Sequence, residues 1–177
     1  MSGVNITLLC EDSQTDAFVR RFLRRRNFRG RDIRTLPLPA GNQSGEQWVR
    51  ERYPTELKAL RTRQRAYLLV VTDADVLSTE TRRAQLEAAC DEKQIPPRDD
   101  DDPVLVIVPR RNIETWLTYL GGTEVDEDTT YPRLRRERDC AAPAAELYRM
   151  CQEAQRLDEG APPSLREACD EYGKLQR

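Results

Sequence analysis

Apolar residues in this chain gather in three short runs rich in strand formers, separated by longer stretches in which apolar and charged positions alternate with helical spacing. The runs cover residues 5–10 (NITLLC), 66–71 (AYLLVV) and 103–108 (PVLVIV). A continuous apolar run of this length, ended by turn formers, is the pattern of a strand buried on both faces of a parallel sheet. A weaker candidate strand at 32–38 is cut short by Pro37 and Pro39. Between the runs, Phe18/Phe22 and Val19/Leu23 are i, i+4 pairs on one helical face, with Arg20, Arg21 and Arg24 on the other. Residues 40–45 read as a flexible loop, followed by helical stretches at 46–53 and, with Pro54 as a helix starter, at 55–64. Trp48 is expected in the core. Ser78 or Thr79 can cap a helix running to about Lys93, with Leu86 and Ala89 inward. Asn112 can cap residues 113–120, whose apolar face is Ile113, Trp116, Leu117 and Leu120. Further helices are expected at 144–157 and 164–172.

This alternation predicts an α/β fold: a mostly parallel central sheet of about four strands flanked by helices, with a helical C-terminal extension. The expectation is one domain over 1–177, with its core at 4–120 and its extension at 121–177. In parallel sheets ligands sit outside the carboxyl ends of the strands. Acidic residues follow all three clear runs: Glu11 after the first, Asp73 and Asp75 after the second, Glu114 in the first helical turn after the third. Each has an ordinary explanation as a loop acid or as a first-turn acid matched to a helix dipole. Together at one sheet edge they would form a carboxylate cluster whose repulsion favours a divalent cation. Carboxylate oxygens are hard ligands, suited to Mg2+ or Mn2+.

Composition narrows the chemistry. The chain has no histidine, which excludes histidine triads and histidine general bases and leaves carboxylates, Lys/Arg, hydroxyls, thiols or a metal. Five widely spaced cysteines without a CxxC pair read as reduced, mostly buried thiols of a cytoplasmic protein. No secretory signal is expected at the N-terminus, and no apolar stretch approaches the roughly 20 residues of a membrane span. The formal net charge of −2 hides a division: residues 1–66 carry 14 Lys/Arg against 7 Asp/Glu, and residues 67–177 carry 15 against 24. Six arginines fall between Arg24 and Arg34, either a solvated helix end or a patch that contacts phosphates. The acidic run 99–102 reads as a solvated loop.

A Glu after the first strand and a DxD after a central one resemble the Toprim domain of topoisomerases, primases and the overcoming-lysogenization-defect nucleases. The closer likeness is to small stand-alone bacterial Toprim-like proteins, which open with a pattern like VEGxTExxF and later carry one like PxxxIExWL. Here the matching stretches are Cys10 to Phe18 (CEDSQTDAF) and Pro109 to Leu117 (PRRNIETWL). The resemblance covers residues 4–120. It implies Glu11 as a metal ligand or general base, Asp73 and Asp75 as metal ligands, and Glu114 as a further ligand or a water-orienting group. Arg110 and Arg111 would steady a phosphate; apart from the resemblance, the positive charge of segment Arg20–Arg34, with Arg24 and Arg25 as substrate contacts, would guide a nucleic-acid backbone. Two positions depart from the pattern: Asp12 stands where the family has glycine, and Thr15 stands where it has an acid, with Asp16 one place later.

On these grounds the first expectation is a Mg2+- or Mn2+-dependent nuclease cutting DNA or RNA, in a bacterial defence or repair setting. The second is a conditionally active subunit that works with a partner ATPase, since the chain has no P-loop of its own. A phosphate-binding module without catalysis is the third, and the lack of a Gly-rich loop after any strand argues against it. A homo-oligomer is compatible with all three.

Overall fold

A computed structural model describes residues 3–154 and 157–175. Four strands form one sheet: β1 (Asn5–Cys10), β2 (Ile33–Thr35), β3 (Ala66–Val71) and β4 (Val104–Ile107). All pairings are parallel and the order is β2-β1-β3-β4. The three apolar runs are the three inner or longer strands, as expected. The fourth, β2, spans only three residues because Pro37 and Pro39 follow it, although Leu36 N–H still donates to Leu8 O at 2.9 Å.

Helices cover both faces. Ile6, Leu8 and Cys10 of β1, Leu69 and Val71 of β3, and Leu105 and Ile107 of β4 face α1 (Ser13–Arg25), α4 (Ile113–Leu120), α5 (Ala141–Tyr148) and α6 (Pro163–Gly173). The alternate residues Leu9, Leu68, Val70, Val104 and Val106 face α2 (Gly45–Leu60) and α3 (Thr79–Glu92). Period-two alternation along strands that carry apolar residues on both faces thus supplies two separate cores. The C-terminal extension is part of the first core: Leu147, Met150, Leu165 and Tyr172 pack with Phe22 and Trp116. No helix among the described residues is long and apolar enough to cross a membrane.

Three local expectations are corrected. Residues 45–60 form one helix, with Pro54 inside it rather than starting a second. Proline costs that helix one backbone bond, and the burial of Val49, Tyr53, Leu57 and Leu60 along a single face offsets the loss. Trp48 is only partly buried, and Tyr53 is the aromatic anchor of that core. Not all the thiols are free: Cys151 and Cys169 are joined by a disulfide with Cα atoms 5.5 Å apart, while Cys10, Cys90 and Cys140 are free and buried. The last expected helices are present, α5 continuing as a π-helical turn over Arg149–Glu153. Residues 155–156 of the expected 144–157 helix lie outside the described residues.

A candidate active site at the carboxyl edge of the sheet

The strand order reverses direction between β1 and β3, so the crevice outside their carboxyl ends is a topological switch point. Glu11 leaves β1 there and Asp73 leaves β3 one residue past Thr72. The β1–β3 register runs without a break from Asn5↔Ala66 to Cys10↔Val71, which brings the two exits level. Glu11 Oε1 accepts from Thr72 Oγ1 at 2.6 Å and from the backbone N–H of Asp73 at 2.7 Å. Burial pushes the Glu11 carboxyl up to about 7, against the partly opposing pull of those two hydrogen bonds. A carboxyl at that value exchanges protons near neutral pH, which suits a general base.

Asp73 is shifted in the same direction. Burial raises its pKa well above the ordinary carboxylate range, followed by the charges of Glu11, Glu114, Asp75 and Asp12. Its carboxylate accepts no hydrogen bond from any described residue, and it keeps part of its surface open. Glu114 is 8% exposed, at the start of α4, where its Oε1 accepts from Gln14 Nε2 at 2.8 Å. The spacing of the apolar face within 113–120 directs Glu114 away from the core and toward the edge, and it does lie at the edge, though buried there against Gln14 of α1. Asn112 occupies the capping position of α4, where its Oδ1 accepts from the Thr115 hydroxyl at 3.4 Å rather than from a backbone N–H of the first turn.

Asp75 behaves differently from Asp73. Its backbone is left-handed (φ 54°), its residue is exposed, and its Oδ2 pairs with Arg82 Nη2 at 3.1 Å. Two backbone bonds hold this conformation, Ala74 N–H to Pro109 O at 2.9 Å and Asp75 N–H to Arg111 O at 2.8 Å. The DxD loop and the 109–111 turn are therefore laced together beyond the ends of β3 and β4. Arg110 donates to Leu77 O and to Asp128 Oδ1, and Arg111 donates to Thr130 Oγ1 at 3.0 Å. Both arginines lie next to the site, committed to neighbouring loops. Arg24 and Arg25 do not join it. They are exposed in the last turn of α1, about 20 Å along that helix from its start at the carboxyl edge, and Arg24 lies against Gly30 ahead of β2.

Arg82 and Gly45 shape the site and carried no sequence signal. Arg82 of α3 is 5% exposed and donates to Asp73 O at 2.8 Å and to Gln85 Oε1 at 2.8 Å, and it pairs with Asp75 and with Glu46. Gly45, the first residue of α2, sits so close to Glu11 that a Cβ there would fall 2.6 Å from the Glu11 Cβ. Asp12, at the departing position, caps α1 by accepting from Thr15 N–H at 2.8 Å, and it pairs with Arg133 at 2.8 Å. With Leu134 N–H donating to Gln14 Oε1 at 3.0 Å, the segment 123–134 folds over the edge. The acidic run 99–102 lies elsewhere, ahead of β4, where Asp102 pairs with Arg61 at 2.6 Å.

Among the described residues no three acidic or cysteine side chains converge as a finished metal cage. Glu11 and Asp73 are hard oxygen donors at the same edge, near enough for the charge of Glu11 to raise the Asp73 carboxyl, and the Asp73 carboxylate takes no hydrogen bond from a described residue. Mg2+ in particular is commonly bound by one or two carboxylates, keeping waters and taking substrate phosphates for the rest. Comparison with known proteins finds no matching family model, no matching curated protein and no matching solved structure. The likeness to the Toprim domain accordingly rests on the short motifs around Glu11, Asp73 and Glu114, and the α/β sheet is the architecture that likeness implies.

Proposed function

We propose that the carboxyl edge of β1 and β3 is the active site of a divalent-metal-dependent phosphoryl-transfer enzyme, a Toprim-type nuclease acting on DNA or RNA. One observation carries the reading: the Asp73 carboxylate stands without a donor at the switch point, amid the charges of Glu11, Glu114, Asp75 and Asp12. A bound Mg2+ or Mn2+ would supply charge neutralisation at a phosphate oxygen and acidify a water. Asp73 and Glu11 are the residues that would hold it. Glu11, positioned by Thr72 and the Asp73 N–H, would act as that ligand or as the proton acceptor. Glu114, fixed by Gln14, adds negative potential and orients a water without itself leaving the wall. Arg110 and Arg111 border the same crevice.

The test is cleavage of single- and double-stranded DNA and RNA by the purified chain with Mg2+ or Mn2+, beside Asp73→Asn. Cutting by the wild type that the variant loses supports the reading. Intact substrates under conditions where a control nuclease cuts would sink it for the isolated chain.

A second reading, a subunit that becomes active beside a partner ATPase, is favoured by a separate observation. Asp75 is held by Arg82, and segment 123–134 lies over the edge, so the third carboxylate joins the others only after a rearrangement. Activity that appears only when an ATPase is added distinguishes it.

A further inference from the structure

A second concavity lies at the opposite, amino edge of the sheet, and its chemistry is the reverse of the first. It encloses about 500 Å³ and is lined by Asn5, Thr7, Arg31, Arg34, Arg63 and Gln64 together with Ile6, Asp32 and Ala66. That volume is in the range of small-ligand sites.

The lining comes from three separate segments. Arg31 belongs to the 3-10 turn Gly30–Asp32 that precedes β2. Arg34 is the middle residue of β2 and pairs in register with Thr7 of β1, so both side chains stand on the face that carries Leu9. Arg63 follows α2, where the turn Arg63 N–H to Leu60 O brings the chain back toward β3. α2 ends at Leu60, and among the described residues Arg34 of the short edge strand is exposed on this face.

The charges are poorly compensated. The one carboxylate in the lining, Asp32, is already bound by Arg29 at 2.6 Å and 3.3 Å, and Arg31 approaches it only to 4.0 Å. Arg63 has a single long bond, to Thr7 Oγ1 at 3.4 Å. Arg34 makes no hydrogen bond or ion pair with any described residue. Three arginines therefore line one concave space with a single carboxylate that Arg29 already holds, and such an excess of one sign concentrates its field on a counter-ion. Guanidinium forks match the oxygens of phosphate in a way that an ammonium does not. The Thr7 hydroxyl and the Asn5 and Gln64 amides add neutral donors and acceptors beside them.

We propose that this amino-edge pocket binds a phosphate ester, with Arg31, Arg34 and Arg63 taking the phosphate oxygens. The site is separate from the carboxyl edge by the length of the six-residue strands, roughly 20 Å, and it stands whether or not the chain cleaves nucleic acid. The phosphate can come from a nucleotide or from a nucleic-acid backbone, and the same measurement separates the two.

The experiment is titration calorimetry of the full chain without divalent metal, using adenosine 5′-monophosphate and a twelve-residue oligothymidylate that lacks terminal phosphates. The variants are Arg34→Glu and Arg63→Glu. Arg138→Glu, at an exposed residue outside the pocket, makes the same change of charge. The pocket predicts saturable binding of at least one probe, weakened tenfold or more by Arg34→Glu and by Arg63→Glu and less than twofold by Arg138→Glu. Binding of the monophosphate alone identifies a terminal phosphate. Binding of the oligonucleotide, with a salt dependence worth two to three phosphate contacts, identifies the backbone. Absence of binding by both probes, or an equal loss in Arg138→Glu, overturns the proposal. Arg34 and Arg63 are both exposed, so either variant can be read if thermal denaturation shows the other to be misfolded.

Discussion

Replacing Glu11 by glutamine should make the protein more stable at neutral pH. Burial lifts the Glu11 carboxyl from an ordinary 4.5 to about 7. The folded state therefore holds the proton more tightly than the unfolded state. The associated stability is fully present below about pH 4.5 and is lost as pH rises through about 7. A displacement of that size corresponds to about 3 kcal/mol at pH 8. Glutamine is neutral at every pH and keeps the oxygen that accepts from Thr72 and from Asp73 N–H. The variant should match the wild type near pH 4.5 and exceed it by about 3 kcal/mol at pH 8, a rise in Tm of about 6–12 °C for a chain of this size. Urea denaturation across pH 4.5–8.5 in the presence of a chelator measures the difference. With millimolar Mn2+, the wild type should recover stability that the variant does not. Parallel pH profiles for the two proteins would refute the argument, because they would mean that Glu11 is not ionising in a buried setting.

Other consequences follow from neighbouring contacts. Arg82→Met removes the buried cation that bonds Asp73 O and pairs with Asp75 and Glu46, and should cost about 1–3 kcal/mol in chemical denaturation, mostly at Asp73 O, since Glu46 keeps Arg50 at 2.8 Å. Gly45→Ala places a methyl group 2.6 Å from the Glu11 Cβ and 3.0 Å from its carbonyl oxygen, so α2 must move; a loss of about 1–3 kcal/mol is expected by thermal denaturation. Trp116→Phe breaks the Nε1–H to Ser164 Oγ bond of 2.9 Å in the first core and should cost about 2 kcal/mol, read from the same unfolding curves.

The main strands were legible because β1, β3 and β4 are buried on both faces, and only apolar runs survive there. The positions of Glu11 and Asp73 followed from strand ends plus the parallel order. Pro54 misled because proline reads as a helix start, whereas one continuous apolar face carried α2 through it. Asp75 looked equivalent to Asp73, since spacing in a DxD says nothing of backbone handedness; the left-handed φ and Arg82, seven positions on, turn its carboxylate aside. Arg82 itself looks like any helix-surface arginine until α2 closes over it with Glu46. Arg24 and Arg25 were placed with the acids by charge alone, although a 13-residue helix carries its last turn to the far edge. The disulfide was hidden because Cys151 and Cys169 are 18 positions apart with no paired motif.

The hydrogen bond from Thr72 to Glu11 joins positions 61 apart, and β2 and α2 lie between them in the chain. No fragment ending before β3 can form the carboxylate pair, so closing that loop is a condition of any chemistry there. β1 and β3 are also the two inner strands, each hydrogen-bonded on both sides. They are the part of the sheet least able to open locally. During synthesis the N-terminal third must wait for residues beyond 73 before it holds an assembled pair. Once β3 is in place, the pair is lost only when the sheet itself comes apart.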